Sequence, residues 1–274
     1  MFLLALYLII QYEENIMDKK VLLILVDGLR PDALLKCGDS YSSRLLEIST
    51  YSLQAKTVYP SLTLPCHMSL FHSVPPERHG ILINVYEPLN HPVEGLCERL
   101  SASGKNCAFF YNWGELRDLT RPSSLAYSFY VSGDICGYEK ADEMVTENAL
   151  SYITTEKPDF AFVYFQSVDS AGHAYGWMGN EYCHACVQSL DRVRRLIEQF
   201  GEEYNIIVMS DHGGHGCGHG TQELEDMVIP IVCVGDGFRP GQQLQNASIC
   251  DIAPTIAVLA GVDVSKDWEG GSLL

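Results

Sequence analysis

The sequence predicts an α/β fold with a mostly parallel central sheet covered by helices on both faces. Five apolar runs of strand length fall near residues 21–26, 106–110, 159–165, 205–210 and 229–234. They alternate with segments of helical spacing near 41–48, 64–72, 92–103, 140–155, 180–200 and 251–260. Such alternation is the signature of strands crossed over by helices. The strand runs are continuous and rich in Val, Ile and Phe, as burial on both faces requires. Three of them lead into an aspartate: Val21 to Val26 into Asp27, Phe160 to Phe165 into Asp169, and Asn205 to Met209 into Asp211. Ligands of open parallel sheets collect beyond the carboxyl ends of the strands, so these three carboxylates are expected at one edge.

The chain has 274 residues, enough for one large core. No repeat, low-complexity run or Pro/Ser-rich linker divides it. We read residues 1–17 as an N-terminal extension and 18–274 as a single catalytic domain. The first ten residues, MFLLALYLII, are apolar but too few to span a bilayer, which needs about 20. They lack a basic flank and a small-residue cleavage site, so a secretory signal is the minor reading and the cytoplasm the expected location. Residues 111–135 are aromatic-rich without clear periodicity, which points to a substrate-facing insertion. Within it, Tyr111-Asn112-Trp113, together with Tyr86, offer either a stacking surface or ordinary packing aromatics.

The formal charge of −17 repels phosphate backbones and argues against stable binding of nucleic acid. It leaves room for a small phosphoester approaching bound cations. The ten cysteines form no small disulfide framework. Cys183 and Cys186 have C-x-x-C spacing without a second such pair, and are read as plain thiols.

Chemistry concentrates in three places. Asp211, His212, His215 and His219 crowd one glycine-rich loop. Carboxylate and imidazole together suit zinc, and also manganese or iron. Asp169 and His173 are four apart. Thr63 sits two residues before Pro65 at the start of a helical segment, where a hydroxyl is either a cap or a nucleophile favoured by the helix dipole.

These pieces together resemble the alkaline phosphatase superfamily, in particular its nucleotide pyrophosphatase/phosphodiesterase branch. The matching motifs are VDGLRPD from Val26, YPSLTLPCH from Tyr59, RHGILIN from Arg78, VDSAGH from Val168, SDHGGHG from Ser210, HGT from His219 and DIAPTIAVLAG from Asp251. They occur in the family's order. The resemblance implies an alkaline phosphatase-like fold and two zinc ions, with manganese possible at one site. It implies that Asp169, His173 and His219 hold one ion, and Asp27, Asp211, His212 and Thr63 the other. Thr63 would be the nucleophile, forming a covalent phosphothreonine, and Asn84 would bind phosphate. Leu64 stands where nucleotide-cleaving members often carry a stacking aromatic. Leu64 is therefore read as a substrate or supporting residue, and so is His215, which lies between His212 and His219 while both ligand sets are complete without it.

The implied activity is hydrolysis of phosphodiester or pyrophosphate bonds in small molecules. A phosphonate hydrolase or a phosphomonoesterase on the same scaffold is the alternative, and a non-catalytic metal-binding protein is further away. A sulfatase needs a Cys or Ser in a different context from Thr63-Leu-Pro-Cys-His. Nothing in the sequence sets the oligomeric state.

Overall fold

The computed structural model describes residues 19–37, 40–85, 87–89 and 92–274. The expected extension, residues 1–17, and Tyr86 lie outside them. Seven strands form one sheet: β1 (Lys20–Val26), β2 (Thr50–Lys56), β3 (Cys107–Tyr111), β4 (Tyr127–Tyr130), β5 (Phe160–Phe165), β6 (Tyr204–Met209) and β7 (Val228–Val234). Their order is β2-β7-β6-β1-β5-β3-β4. The pairings β6–β1, β1–β5, β5–β3 and β3–β4 are parallel, while β7 is antiparallel to both β6 and β2.

The strand period of two divides the core into two layers. Val21, Leu23 and Leu25 of β1 face one layer, and Leu22, Ile24 and Val26 face the other. The first layer is covered by α3 (Thr63–His72), α4 (Leu96–Ala102) and α8 (Ile252–Leu259). The second is covered by α1 (Pro31–Lys36), α2 (Ser40–Glu47), α5 (Tyr138–Glu156) and α7 (Asn180–Phe200). A further helix, α6 (Ser167–Tyr175), leaves the end of β5. Every residue from Val21 to Val26 is fully buried, which explains the unbroken apolar run.

Three expectations change. Residues 111–135 are not an irregular insertion, because Tyr127–Tyr130 pairs in register with β3 as an edge strand. Its outward face is half exposed, so the apolar signal is weak. Tyr127 stacks on Tyr152, with ring centroids 3.9 Å apart, and thereby packs rather than faces substrate. Secondly, β2 is absent from the sequence reading because an exposed, polar edge strand (TYSLQAK) needs no apolar run. Thirdly, Cys183 is not a free thiol. It is bridged to Cys37, joining α7 to the residue that follows α1. Cys186, one turn further along α7, stays buried and reduced. No helix among the described residues is long and apolar enough to cross a membrane.

Candidate metal centre and nucleophile

The order β5-β1-β6 puts the three aspartate-bearing strand ends side by side. Asp27 follows β1 directly, and Gly28 turns the chain with φ 67°. A Cβ on Gly28 would lie 3.0 Å from Asp169 Cα, so the close approach of two strand ends requires glycine there. Asp169 and His173 share one face of α6. Asp211 and His212 follow β6 after Ser210, whose Oγ accepts Leu29 N–H at 2.9 Å and donates to His212 O at 2.7 Å. The glycine-rich loop then packs on the segment before β7. A Cβ on Gly213 would meet Glu225 O at 2.0 Å.

Each imidazole is held the same way. Nδ1 of His212 donates to Gly213 O at 2.8 Å, Nδ1 of His219 to Ser61 O at 2.8 Å, and Nδ1 of His173 to Cys217 O at 3.0 Å. A carbonyl only accepts, so Nδ1 carries the proton and each Nε2 presents its lone pair. Those three Nε2 atoms meet the carboxylates. His173 Nε2 is 3.5 Å from Asp169 Oδ2 and 3.1 Å from His219 Nε2, which is 3.6 Å from Asp169 Oδ1. His212 Nε2 is 3.3 Å from both Asp27 Oδ1 and Asp211 Oδ2. The edges of a tetrahedron around zinc, with bonds near 2.0–2.1 Å, are about 3.3 Å.

Asp27 Oδ1, Asp169 Oδ1 and Asp211 Oδ2 are buried and lack any hydrogen-bond partner. Burial, then Asp211 and Asp169, push the Asp27 carboxyl well above the usual range. Burial and then Asp211 do the same to Asp169, and burial raises Asp211. Burial also lowers His212 to about 4 and His219 to about 3, so neither supplies a neutralising charge at neutral pH. Buried, unpartnered carboxylates beside free imidazole lone pairs fit a divalent cation. Two such groups are present among the described residues: Asp169, His173 and His219; and Asp27, Asp169 and His212.

Thr63 is the first residue of α3, and Leu62 occupies the cap position without a side-chain cap. Thr63 Oγ1 lies 3.2 Å from His212 Nε2. The hydroxyl therefore faces the cluster instead of capping the helix. Asn84 Oδ1 accepts Leu64 N–H at 2.9 Å, which places the Asn84 amide at the same helix end.

A family model described as type I phosphodiesterase / nucleotide pyrophosphatase matches residues 21–229. The chain belongs to that family. It is 28% identical over 214 residues to ectonucleotide pyrophosphatase/phosphodiesterase family member 1 of Rattus norvegicus, covering 70% of this chain and 24% of the relative. It is 24% identical over 281 residues to bis(5'-adenosyl)-triphosphatase ENPP4 of Bos taurus, covering 91% of this chain and 56% of the relative. The chain thus spans from about a quarter to just over half the length of these relatives. Among solved structures, murine ectonucleotide pyrophosphatase/phosphodiesterase 5 in complex with AMP superposes with TM-score 0.76 at 14% identity, covering 89% of this chain and 96% of that one. The structural neighbours share the alkaline phosphatase-like fold expected from the sequence.

Leu64 and His215 occupy different surroundings. The Leu64 side chain is fully buried in the core, so it meets no substrate, and its N–H is already taken by Asn84. His215 stands outside both metal groups. Its Nδ1 bonds Asp226 Oδ1 at 2.7 Å, and the other Asp226 oxygen accepts Thr221 N–H at 2.9 Å and Thr221 O–H at 2.8 Å. Asp226 thereby staples the loop that carries His219. Tyr111 is buried and Asn112 donates to Asp142, so both belong to the packing rather than to a stacking surface.

Sequence reasoning missed the residues behind the candidate ligands. The Tyr164 hydroxyl donates to Asp27 Oδ2, leaving Oδ1 free. His67 Nδ1 donates to Thr63 O at 2.8 Å and lies 3.5 Å from Asp211 Oδ2. Trp177 Nε1 and the Tyr182 hydroxyl each donate to Gly28 O at 3.0 Å. Arg30 is committed to Asp32 and to Gly214 O, which it reaches at 3.0 Å. A buried aromatic or histidine within an apolar run gives no sequence signal that separates such support from plain packing.

Proposed function

We propose that this chain hydrolyses phosphodiester or pyrophosphate bonds of small molecules through a covalent intermediate on Thr63. The observation that carries the reading is Thr63 Oγ1, 3.2 Å from His212 Nε2 at the edge of a cluster of unpartnered carboxylate oxygens. Asp27, Asp211, His212 and Thr63 would hold one zinc; Asp169, His173 and His219 would hold a second, with manganese acceptable at one. When bound, the two cations lower the pKa of the threonine hydroxyl and of water, and offset charge on the phosphoryl group.

Thr63 Oγ1 attacks phosphorus in line. The Oγ1–phosphorus bond forms as the bond to the leaving oxygen breaks, giving a phosphothreonine. The proton that Thr63 gives up in this attack ends on the leaving oxygen; water then attacks the phosphorus, Thr63 leaves, and one proton of that water passes to the Thr63 oxygen. Asn84 Oδ1 is engaged by Leu64 N–H, so its Nδ2 is the donor left for a non-bridging oxygen. Tyr164 and His67 hold Asp27 and the Thr63 carbonyl in register while this occurs.

A monoester dianion carries one more charge than a diester, and Arg30 is spent on Asp32 and Gly214. The site therefore suits the diester. On zinc-loaded protein, kcat/KM for bis(4-nitrophenyl) phosphate should exceed that for 4-nitrophenyl phosphate by about tenfold, or ~1.4 kcal/mol in the barrier. Preference for the monoester by the same margin would move the chain to a phosphatase, and inactivity on both would promote the phosphonate-hydrolase alternative. The Cys37–Cys183 bridge favours an oxidising compartment over the cytoplasm expected from the sequence.

A further inference from the structure

The loop that carries Asn84 has an unusual surface. Ile81 turns inward, but Leu82, Ile83 and Val85 are 51%, 55% and 56% exposed. The loop is pinned at both ends: Ile81 N–H donates to His79 Nδ1 at 3.1 Å, and Asn84 Oδ1 accepts Leu64 N–H at 2.9 Å. Leu82 and Ile83 are thus exposed between two anchored residues, with Val85 just beyond the second. Consecutive Cα atoms are about 3.8 Å apart, so Ile83 and Val85 flank Asn84, and Asn84 touches the residue after Thr63. Three exposed aliphatic residues within four positions, next to the residue that meets the helix end of Thr63, point to a contact surface rather than scattered exposure.

We infer that Leu82, Ile83 and Val85 form an apolar subsite that selects phosphodiesters whose second ester group is alkyl or aryl. This rests on the phosphodiesterase reading above. The phosphate would meet Asn84 and Thr63 while its apolar ester group lies along the aliphatic rim. Burial of a methylene strengthens binding by up to about fourfold, and an open rim should deliver roughly half of that free energy.

The test is a series of 4-nitrophenyl phosphodiesters with methyl, butyl and octyl as the second ester group, kept below their micelle-forming concentrations. All release the same phenol, so only the rim contact varies. In zinc-loaded native protein, kcat/KM should rise at least about tenfold from methyl to octyl. In the Leu82→Ser/Ile83→Ser/Val85→Ser variant the octyl-to-methyl ratio should fall below about threefold. A flat series in native protein, with turnover intact, would overturn the subsite and leave the hydrolase standing. A ratio that survives the triple substitution, or a nucleoside 4-nitrophenyl diester that outpaces the octyl compound, would overturn it equally. No release from any member would instead bring down the phosphodiesterase reading itself.

Discussion

Asp142 offers the sharpest test of how the site is supported. It is fully buried on α5, one helix away from the candidate ligands Asp169 and His173. Its Oδ1 accepts Asn112 Nδ2 at 2.6 Å and Gln166 N–H at 3.0 Å, and its Oδ2 accepts Ser167 N–H at 3.2 Å. The last two are among the first amides of α6, which have no partner within their own helix. Asp142 therefore caps, from outside, the helix that presents Asp169 and His173, and its charge suits that helix end. Burial raises the Asp142 carboxyl above the usual range although Ser167, Gln166 and Asn112 favour the charged form. In Asp142→Ala two buried backbone donors lose their acceptor, at about 1–3 kcal/mol each. Release of the buried charge offsets part of this, leaving a destabilisation of about 3 kcal/mol. Asp142→Asn keeps one acceptor oxygen and should fall between. Urea unfolding of chelated protein would measure the loss, and calorimetric titration with zinc would measure weaker binding at Asp169, His173 and His219. A loss under about 1 kcal/mol with unchanged zinc affinity would refute the external cap.

Further outcomes follow from the ligand cluster. Metal analysis of purified protein should give two equivalents of zinc, and strong chelation should abolish turnover; one equivalent with full activity would contradict the two-metal reading. Thr63→Ala should remove activity by several orders of magnitude with both metals still bound, since its hydroxyl does not cap α3, while Thr63→Ser should keep part of the rate. Denatured, labelled phosphate on Thr63 in a quenched reaction would identify the intermediate directly. His215→Ala should retain both zinc ions, because its partner is Asp226 and not a metal group. The Asp226 hydrogen bond and charge raise the His215 pKa above its usual value near 6.5. Its stabilising contribution is therefore complete below that value and is lost as pH rises through the folded pKa. Hydrogen exchange of residues 213–221 should quicken across that rise in native protein, and the same step should be missing in His215→Ala.

The parts legible in the sequence were those with a strong local signal. Continuous apolar runs located β1, β3, β5, β6 and β7, and strand-to-aspartate junctions located Asp27, Asp169 and Asp211. The edge strands β2 and β4 were not legible, since half-exposed strands carry polar residues on their outer side and β4 has only four residues. Leu64 was misplaced because its neighbour Thr63 faces the cluster while one residue on, the helix turn directs the side chain into the core. The pairing of Cys37 with Cys183 needed the approach of α1 and α7, which no spacing encodes. Tyr164 and Asp142 likewise act through partners far away in sequence.

The sheet order has a consequence for how the chain is made. β1 sits in the middle of the sheet, and both of its neighbours, β5 and β6, come late in the sequence. Its wholly apolar Val21–Val26 segment leaves the ribosome about 130 residues before the first strand that can pair with it. At roughly 5–20 residues per second, that segment waits on the order of ten seconds without its partner. Six consecutive Val, Leu and Ile residues with no charge and no proline are a potent seed for intermolecular pairing during that interval. Soluble yield should therefore depend more on holdase chaperones and elongation speed than on the stability of the finished protein, and a lower growth temperature should improve it by weakening apolar association.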